Sequence, residues 1–123
     1  MFDHVSIGVS DIKRTGKFYD AVLRPLGFSR LSDGESSLGY GSKGVQLWIS
    51  ATAKPVKADT DSGLHFCFNA KDRAAVDGFH DAALKAGGKD NGKPGIRADY
   101  SPHYYAAFVI DPDGYRLEAY CGK

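Results

Sequence analysis

We expect this chain to adopt an α+β fold built from two copies of one unit, and three observations predict it. The sequence repeats itself at an offset of 61 positions, which brings His4 onto His65 and Asp11 onto Asp72. Short segments alternate apolar and polar residues, as half-buried strands do. Two longer segments repeat apolar residues every three or four positions, as helices do. Since each unit is too small to bury a core alone, both are expected to form one domain.

The repeat extends through each unit. At the same offset, the matched pairs also include Phe18 with Phe79 and Gly27 with Gly88. Farther along the offset grows to 72, which brings Gln46 onto Glu118. The alignment therefore pairs a histidine with a histidine and a glutamine with a glutamate, so residues of metal-ligand type occupy matched positions.

The first unit reads as a strand, a helix and three strands. Residues His4 to Val9 alternate, so His4 faces away from the apolar side. Ser10 is the expected N-cap of the helix, with Asp11 in the first turn, where a negative charge suits the helix dipole. Pro25 and Gly27 are expected to end the helix. The three predicted strands lie near Ser29 to Leu31, Ser37 to Tyr40 and Val45 to Ser50.

The second unit repeats this plan after a polar linker. We place module one at about 1–52, the linker at about 53–62 and module two at about 63–123. The predicted elements are a strand over Leu64 to Asn69, a helix carrying Val76, Phe79 and Ala83, and a hairpin of Tyr104 to Ile110 with Tyr115 to Tyr120. Residues Lys89 to Pro102, rich in Gly, Pro and Asp, are predicted to be mostly loop, with one short strand near Ile96 to Tyr100.

Composition and charge indicate which kinds of molecule this chain is expected to bind. A chain of 123 residues with a net charge of +1 has no basic patch for nucleic acid or an anionic membrane. No apolar stretch approaches the length of a membrane span, and the N-terminus lacks signal-peptide character. We therefore expect a cytoplasmic protein that binds a small molecule, with Cys67 and Cys121 reduced.

Four side chains on the predicted polar face could bind a metal: His4, Gln46, His65 and Glu118. This mixed nitrogen and oxygen set suits Zn, Ni, Co, Mn or Fe(II). Such an ion could bind substrate oxygens and act as a Lewis acid, with Glu118 as the base because an amide cannot accept the proton. The alternative is that the four are ordinary hydrogen-bonded polar residues, as most strand histidines are.

Three segments resemble the vicinal oxygen chelate superfamily, which includes glyoxalase I, methylmalonyl-CoA epimerase, extradiol dioxygenases and the fosfomycin and bleomycin resistance proteins. They are His4-Val5-Ser6-Ile7-Gly8-Val9-Ser10-Asp11 with Phe18-Tyr19, Gly63-Leu64-His65, and Ala107-Phe108-Val109-Ile110-Asp111-Pro112-Asp113-Gly114-Tyr115-Arg116-Leu117-Glu118. The last segment looks very like the closing hairpin of glyoxalase I. The resemblance implies a single domain of two tandem βαβββ modules that form a curved mixed sheet with a concave metal-site cleft. It also implies a homodimer.

The resemblance maps the family's metal ligands onto the same four residues, His4, Gln46, His65 and Glu118. Bacterial glyoxalase I typically has a glutamate where this chain has Gln46, whereas the epimerases have a similar His, Gln, His, Glu set. His4, His65 and Glu118 also form a two-His, one-carboxylate triad, which leaves an Fe(II) dioxygenase as a further alternative.

Other residues are candidates for a substrate pocket. Trp48, Tyr120 and one of Tyr104 or Tyr105 could line an apolar pocket above the metal, although aromatic residues at strand spacing often serve packing alone. Arg97 and His103, in or beside the long loop, could meet an anionic substrate, although most loop charges are simply solvated.

Two functions follow from this pattern. The first is a metal-dependent isomerase or lyase of the glyoxalase or epimerase type, acting on a small carbonyl substrate through a metal-bound enediolate or enolate, with Glu118 shuttling the proton. The second is a non-catalytic, resistance-type binding protein that uses the same cleft. The linker leaves open whether the four ligands come from one chain or from two.

Overall fold

The chain forms two βαβββ units in succession, in a computed structural model that describes residues 1–123. The first unit contains β1 (Val5–Val9), α1 (Ile12–Leu23), β2 (Ser29–Asp33), β3 (Ser37–Gly41) and β4 (Val45–Ala51). The second contains β5 (His65–Asn69), α2 (Arg73–Lys85), β6 (Lys89–Ile96), β7 (Tyr105–Ile110) and β8 (Arg116–Cys121). The predicted α+β class and the two tandem modules are confirmed. Neither helix is long and apolar enough to cross a membrane.

Each unit builds one four-stranded mixed sheet, and both sheets have the same topology. The strand orders are β1-β4-β3-β2 and β5-β8-β7-β6, with β1 parallel to β4 and β5 parallel to β8. The remaining neighbours are antiparallel. No hydrogen-bonded ladder joins the two sheets. The strands β1 and β5 therefore each keep one edge free of backbone pairing.

Both helices begin at an aspartate. The side chain of Asp11 accepts a hydrogen bond from the backbone N–H of Arg14, and Asp72 caps α2 in the same way through the N–H of Ala75. The predicted cap at Ser10 is therefore wrong, because the carboxylate one residue later reaches the free N–H groups of the first turn. The helical segments end at glycines with positive φ, Gly27 and Gly87. The matched glycine of the second unit is thus one residue earlier than the sequence alignment indicates.

The loop predicted over Lys89 to Pro102 is also wrong, since residues Lys89–Ile96 form strand β6. The strand pairs only with β7, and its register shifts twice along that ladder. Proline and glycine are tolerated in such an edge strand because its outer edge needs no donors and bulges absorb the irregularity. The real loop lies between Ile96 and Tyr105.

One apolar core joins the two units, and the helices lie at its centre. α1 and α2 contact each other, and the apolar faces of both sheets pack on them. Phe18 and Phe79, which the repeat matches, are both fully buried. Pro25 packs close to Gly78, where a Cβ atom would lie 3.0 Å from the proline ring. The polar faces of the two sheets therefore point away from the helices.

Buried polar contacts tie α1 to the β7–β8 turn. Tyr19 donates its hydroxyl hydrogen to Asp111 at 2.6 Å, and both residues are buried. Thr15 donates to Asp113 at 2.6 Å, and Arg14 pairs with the same carboxylate at 2.7 Å. Burial raises the pKa of the Asp111 carboxyl above its ordinary value, and it raises the pKa of Tyr19 as well. These bonds hold the hairpin that carries Glu118 against the opposite module.

Candidate functional site

Glu118 lies at the centre of the polar face of the second sheet. In the ladders it pairs with Cys67 of β5 on one side and with Phe108 of β7 on the other. Only 3% of the residue is exposed. A carboxylate this sheltered from water requires hydrogen-bond donors or a cation, and both of its oxygens have a partner.

The partners of Glu118 are His65 and Tyr104. The Nε2 atom of His65 lies 3.2 Å from Oε1 of the carboxylate, and the Tyr104 hydroxyl donates to Oε2 at 2.5 Å. The side chain of His65 is 47% exposed, whereas that of Glu118 is 4% exposed. The pair thus consists of a buried acceptor and a histidine that faces open space.

The spacing of this pair fits two ligands of one metal ion. Ligand atoms about 2.1 Å from a metal lie about 3.0 Å apart when they subtend a right angle and about 3.4 Å apart at the tetrahedral angle. The observed 3.2 Å between Nε2 and Oε1 falls between these values. An ion could therefore bind both atoms with little movement of the strands.

Aromatic rings shield the Glu118 side of the site. The ring centroids of Tyr104 and Tyr120 lie 4.2 Å apart at an interplanar angle of 34°, and Tyr100 contacts Tyr104 edge-on at 5.0 Å. Burial and the hydrogen bond to Glu118 raise the pKa of the Tyr104 hydroxyl. The hydroxyl therefore stays protonated at neutral pH and acts as a donor to the carboxylate.

Cys67 completes this cluster, although the sequence showed it only as a residue with the strand parity of His65. Desolvation of its thiol, together with the negative charge of Glu118, raises the pKa of Cys67 to about 12. Part of the residue is open to solvent. The thiol is thus accessible but protonated, which makes it a poor nucleophile at neutral pH.

The other two candidate ligands lie on the first sheet. The β1–β4 register pairs Val5 with Leu47, so His4 and Gln46, one residue earlier in each strand, are neighbours. Both are exposed, and the Nδ1 atom of His4 lies 2.6 Å from the carboxylate of adjacent Asp3. This half of the candidate site has no buried partner to hold it.

The four residues do not converge within one chain. Nowhere do three or more His, Cys, Asp or Glu side chains come close enough to share an ion. Gln46 and His65 line one groove of about 580 Å³ beside the free edge of β5, but His4 and Glu118 are not among its lining residues. The groove is mostly apolar, and Phe2, Leu64, Phe66 and Phe68 contribute to it.

The predicted pocket residues separate into different environments. Tyr104 and Tyr120 lie beside Glu118, whereas Tyr105 points to α2, where it donates to Asp77 at 2.6 Å under the guanidinium of Arg73. Trp48 lies on the first sheet against Gly39. Arg97 donates to the carbonyls of Lys93 and Gly95 and covers the Phe108 ring. His103 is exposed.

The family model of the Glyoxalase/Bleomycin resistance protein/Dioxygenase superfamily matches residues 1–119. The chain belongs to this superfamily. It is also similar to a solved glyoxalase/bleomycin resistance protein from Albidiferax ferrireducens T118, with 32% identity, 98% of each chain covered and a TM-score of 0.86. No curated protein matches the sequence.

More distant superfamily structures share the fold alone. A fosfomycin resistance protein, FosX, from Mesorhizobium loti is 16% identical with a TM-score of 0.71, over 100% of this chain and 92% of the other. A glyoxalase/bleomycin resistance protein/dioxygenase family enzyme from Burkholderia phytofirmans PsJN is 18% identical with a TM-score of 0.73, over 98% and 97%. Because these matches span both modules, the whole arrangement of helices and sheets is common to the group.

Proposed function

We propose that the chain is a metal-dependent enzyme of the glyoxalase or epimerase type, whose site is built from two chains. His65 and Glu118 of one chain would bind a divalent metal together with His4 and Gln46 of the partner subunit. The observation that carries this proposal is the 3.2 Å separation of the His65 and Glu118 ligand atoms, with the carboxylate almost wholly buried.

The free strand edges support a site shared between chains. Exposed edges with apolar residues are usually covered in native proteins. Here the groove beside β5 contains Phe2, which is 79% exposed, and Leu64, which is 47% exposed. A second copy related by a two-fold axis can place its β1 edge beside β5, which covers these residues and brings the exposed half of the site to the buried half.

The residues of the chain have distinct roles in this proposal. A bound divalent metal would act as a Lewis acid that stabilises negative charge on an oxygen of a carbonyl substrate. Glu118 would take a proton from the carbon beside that carbonyl, since Gln46 cannot accept one. Tyr104 holds Oε2 of Glu118 and so fixes the carboxylate, while the rings of Tyr104 and Tyr120 keep water from its inner side.

A mixed dimer of two damaged chains tests the shared site. His4→Ala and Glu118→Gln each remove one ligand, and we expect both homodimers to lose the metal. In a mixed dimer made by co-expression with two affinity tags, both damaged residues fall in the same site and the other site is intact. We therefore expect about one metal per mixed dimer by mass spectrometry of metal content.

A matched control is the mixed dimer of His65→Ala with Glu118→Gln, which damages both sites because these residues come from the same chain. Metal in this control as well would show that binding does not need the four residues. Absence of metal from the parent protein, even after incubation with Zn, Ni, Co, Mn and Fe(II), would refute the metal-dependent function.

The apolar groove supports a second candidate, a resistance-type binding protein. Its volume of about 580 Å³ and its phenylalanine side chains suit a drug-sized apolar ligand, provided that the groove remains open in the assembled protein. Ligand binding that persists after a chelator removes all metal, and that Phe66→Ala weakens, would favour this candidate. A groove closed by dimerisation would bind nothing.

A further inference from the structure

Arg116 differs from the other arginines in having no partner despite its shelter. The chain has six arginines, and Arg24 is exposed. The partners of four others are Asp113 for Arg14, Asp20 and Asp33 for Arg30, the Lys123 carbonyl for Arg73, and the Lys93 and Gly95 carbonyls for Arg97. The Nε atom of Arg116 is buried with no hydrogen-bond partner, and no carboxylate of the chain pairs with its guanidinium.

Arg116 is next to the candidate metal ligands. It lies on β8 two residues before Glu118, so both side chains share one face and begin about 7 Å apart. In the β5–β8 ladder it pairs with His65. A guanidinium here can therefore contact a molecule that also reaches His65 and Glu118.

Arg116 also lines a small cavity beneath the linker. The cavity measures about 160 Å³ and lies between the β7–β8 turn and residues 56–62. A second cation, Lys57, also lines it, as does Ser62, whose hydroxyl donates to the Asp59 carbonyl and accepts from the N–H of Leu64. Its one acid, Asp59, accepts a hydrogen bond from the backbone N–H of Asp61 and makes no ion pair.

An unpaired guanidinium nitrogen out of water is costly, and the group that best offsets the cost is an oxyanion. Its planar fork of donors matches a carboxylate or phosphate and forms charge-assisted hydrogen bonds with it. We propose that Arg116 binds an anionic group of the substrate, of the carboxylate, phosphate or sulfonate class, beside His65. This inference rests on the proposed function and adds a substrate class to it: a carbonyl compound that bears a negative charge.

Binding of inorganic phosphate to the full chain tests the proposal without a known substrate. The protein is first freed of metal by a chelator, so that phosphate cannot bind an ion instead. Calorimetry in low salt then compares the parent with Arg116→Gln, Arg116→Lys and the exposed control Arg24→Gln. We expect Arg116→Gln to weaken phosphate binding about tenfold or more, since hydrogen bonds to charged groups have this magnitude. Arg24→Gln should bind like the parent.

Arg116→Lys keeps the charge but loses the fork, so it should fall between the parent and Arg116→Gln, and it serves as the test if the glutamine variant fails to fold. Acetate in place of phosphate shows which anion class the site prefers. Equal phosphate binding by parent and Arg116→Gln overturns the proposal, as does no binding by the parent. Loss of the dimer on substitution, measured on protein that has not been treated with a chelator, also overturns it, since Arg116 would then pair with the partner chain.

Separate measurements test the anion site and the proposed metal-dependent function. Metal content reports only on His4, Gln46, His65 and Glu118, and we expect Arg116→Gln to retain it. If the chain binds phosphate through Arg116 but takes up no metal, the proposed anion site stands and the proposed metal-dependent function is refuted.

Discussion

The two modules share one plan but hold their candidate ligands in opposite ways. In the second module, Glu118 is buried, and His65 and Tyr104 occupy both of its oxygens. In the first module, His4 and Gln46 are exposed, and the only side-chain hydrogen bond of His4 is to its neighbour Asp3. The candidate ligands of the second module are therefore held in place by hydrogen bonds, whereas those of the first module have no buried partner to fix them.

Matched helix positions also differ between the two modules. Tyr19 and His80 correspond at the offset of 61. Tyr19 reaches across to Asp111 in the other module, while His80 contacts Asp90 within its own module at 2.8 Å. The first-module residue of this matched pair thus contacts the other module, whereas the second-module residue makes a contact within its own module.

The largest expected effect comes from the two oxygen ligands. Glu118→Gln should weaken metal binding by more than about 100-fold, beyond the usual range for outer residues of a metal site, because it removes the only charged ligand. Gln46→Ala should weaken it by about tenfold, since a neutral amide oxygen is a weaker ligand. Competition with a chromophoric chelator measures both affinities, and equal losses would contradict the idea of unequal halves.

A smaller effect should follow from the contact between modules. Tyr19→Phe leaves an oxygen of buried Asp111 without its donor, so we expect a loss of about 1–3 kcal/mol in the free energy of unfolding. Asp90→Asn alters the exposed acceptor of the His80 contact in the second module and should lower stability less. Urea denaturation of both variants measures the difference. If Asp90→Asn proves the more damaging change, the local bond of the second module matters more than the bridge.

The smallest effect concerns Cys67, which reports on the charge of Glu118. With its pKa raised to about 12, the thiol should react slowly with iodoacetamide at pH 8. Since Glu118→Gln removes the adjacent negative charge, it should lower that pKa and speed the reaction. Peptide mass spectrometry follows the modification, with buried Cys121 as the internal control. Equal labelling rates in the parent and in Glu118→Gln would show that the carboxylate does not affect the thiol.

Much of the fold was predictable because strands and helices leave patterns in neighbouring residues of the sequence. Alternation identified β1, β4, β5 and the β7–β8 hairpin, and the spacing of Phe18 and Phe79 marked both buried helix faces. The strand β6 was not predictable, since its pairing with β7 outweighs the preferences of its glycines and Pro94. The cap at Asp11 differed by one residue because neighbouring polar residues compete for the same donors.

The candidate site was predictable only within each module. Strand parity placed His65 and Glu118 on one face, and the structure has their side chains in contact. Whether the other pair joins them depends on how the modules pack through α1 and α2, and no local pattern encodes that packing. The sequence also could not predict that the Nε atom of Arg116 is buried without a hydrogen-bond partner. Whether a partner is present depends on the positions of all the surrounding residues.

The free edges of β1 and β5 have a consequence for regulation by mass action. In the proposed dimer, an ion that bridges two chains binds the assembled form and not the separate chains, so metal and association strengthen each other. Dilution should then release metal, and a chelator should release monomers. A cell that restricts the supply of this ion would thereby also lower the number of assembled sites, and the proposed dimer would respond to metal availability without a dedicated sensor.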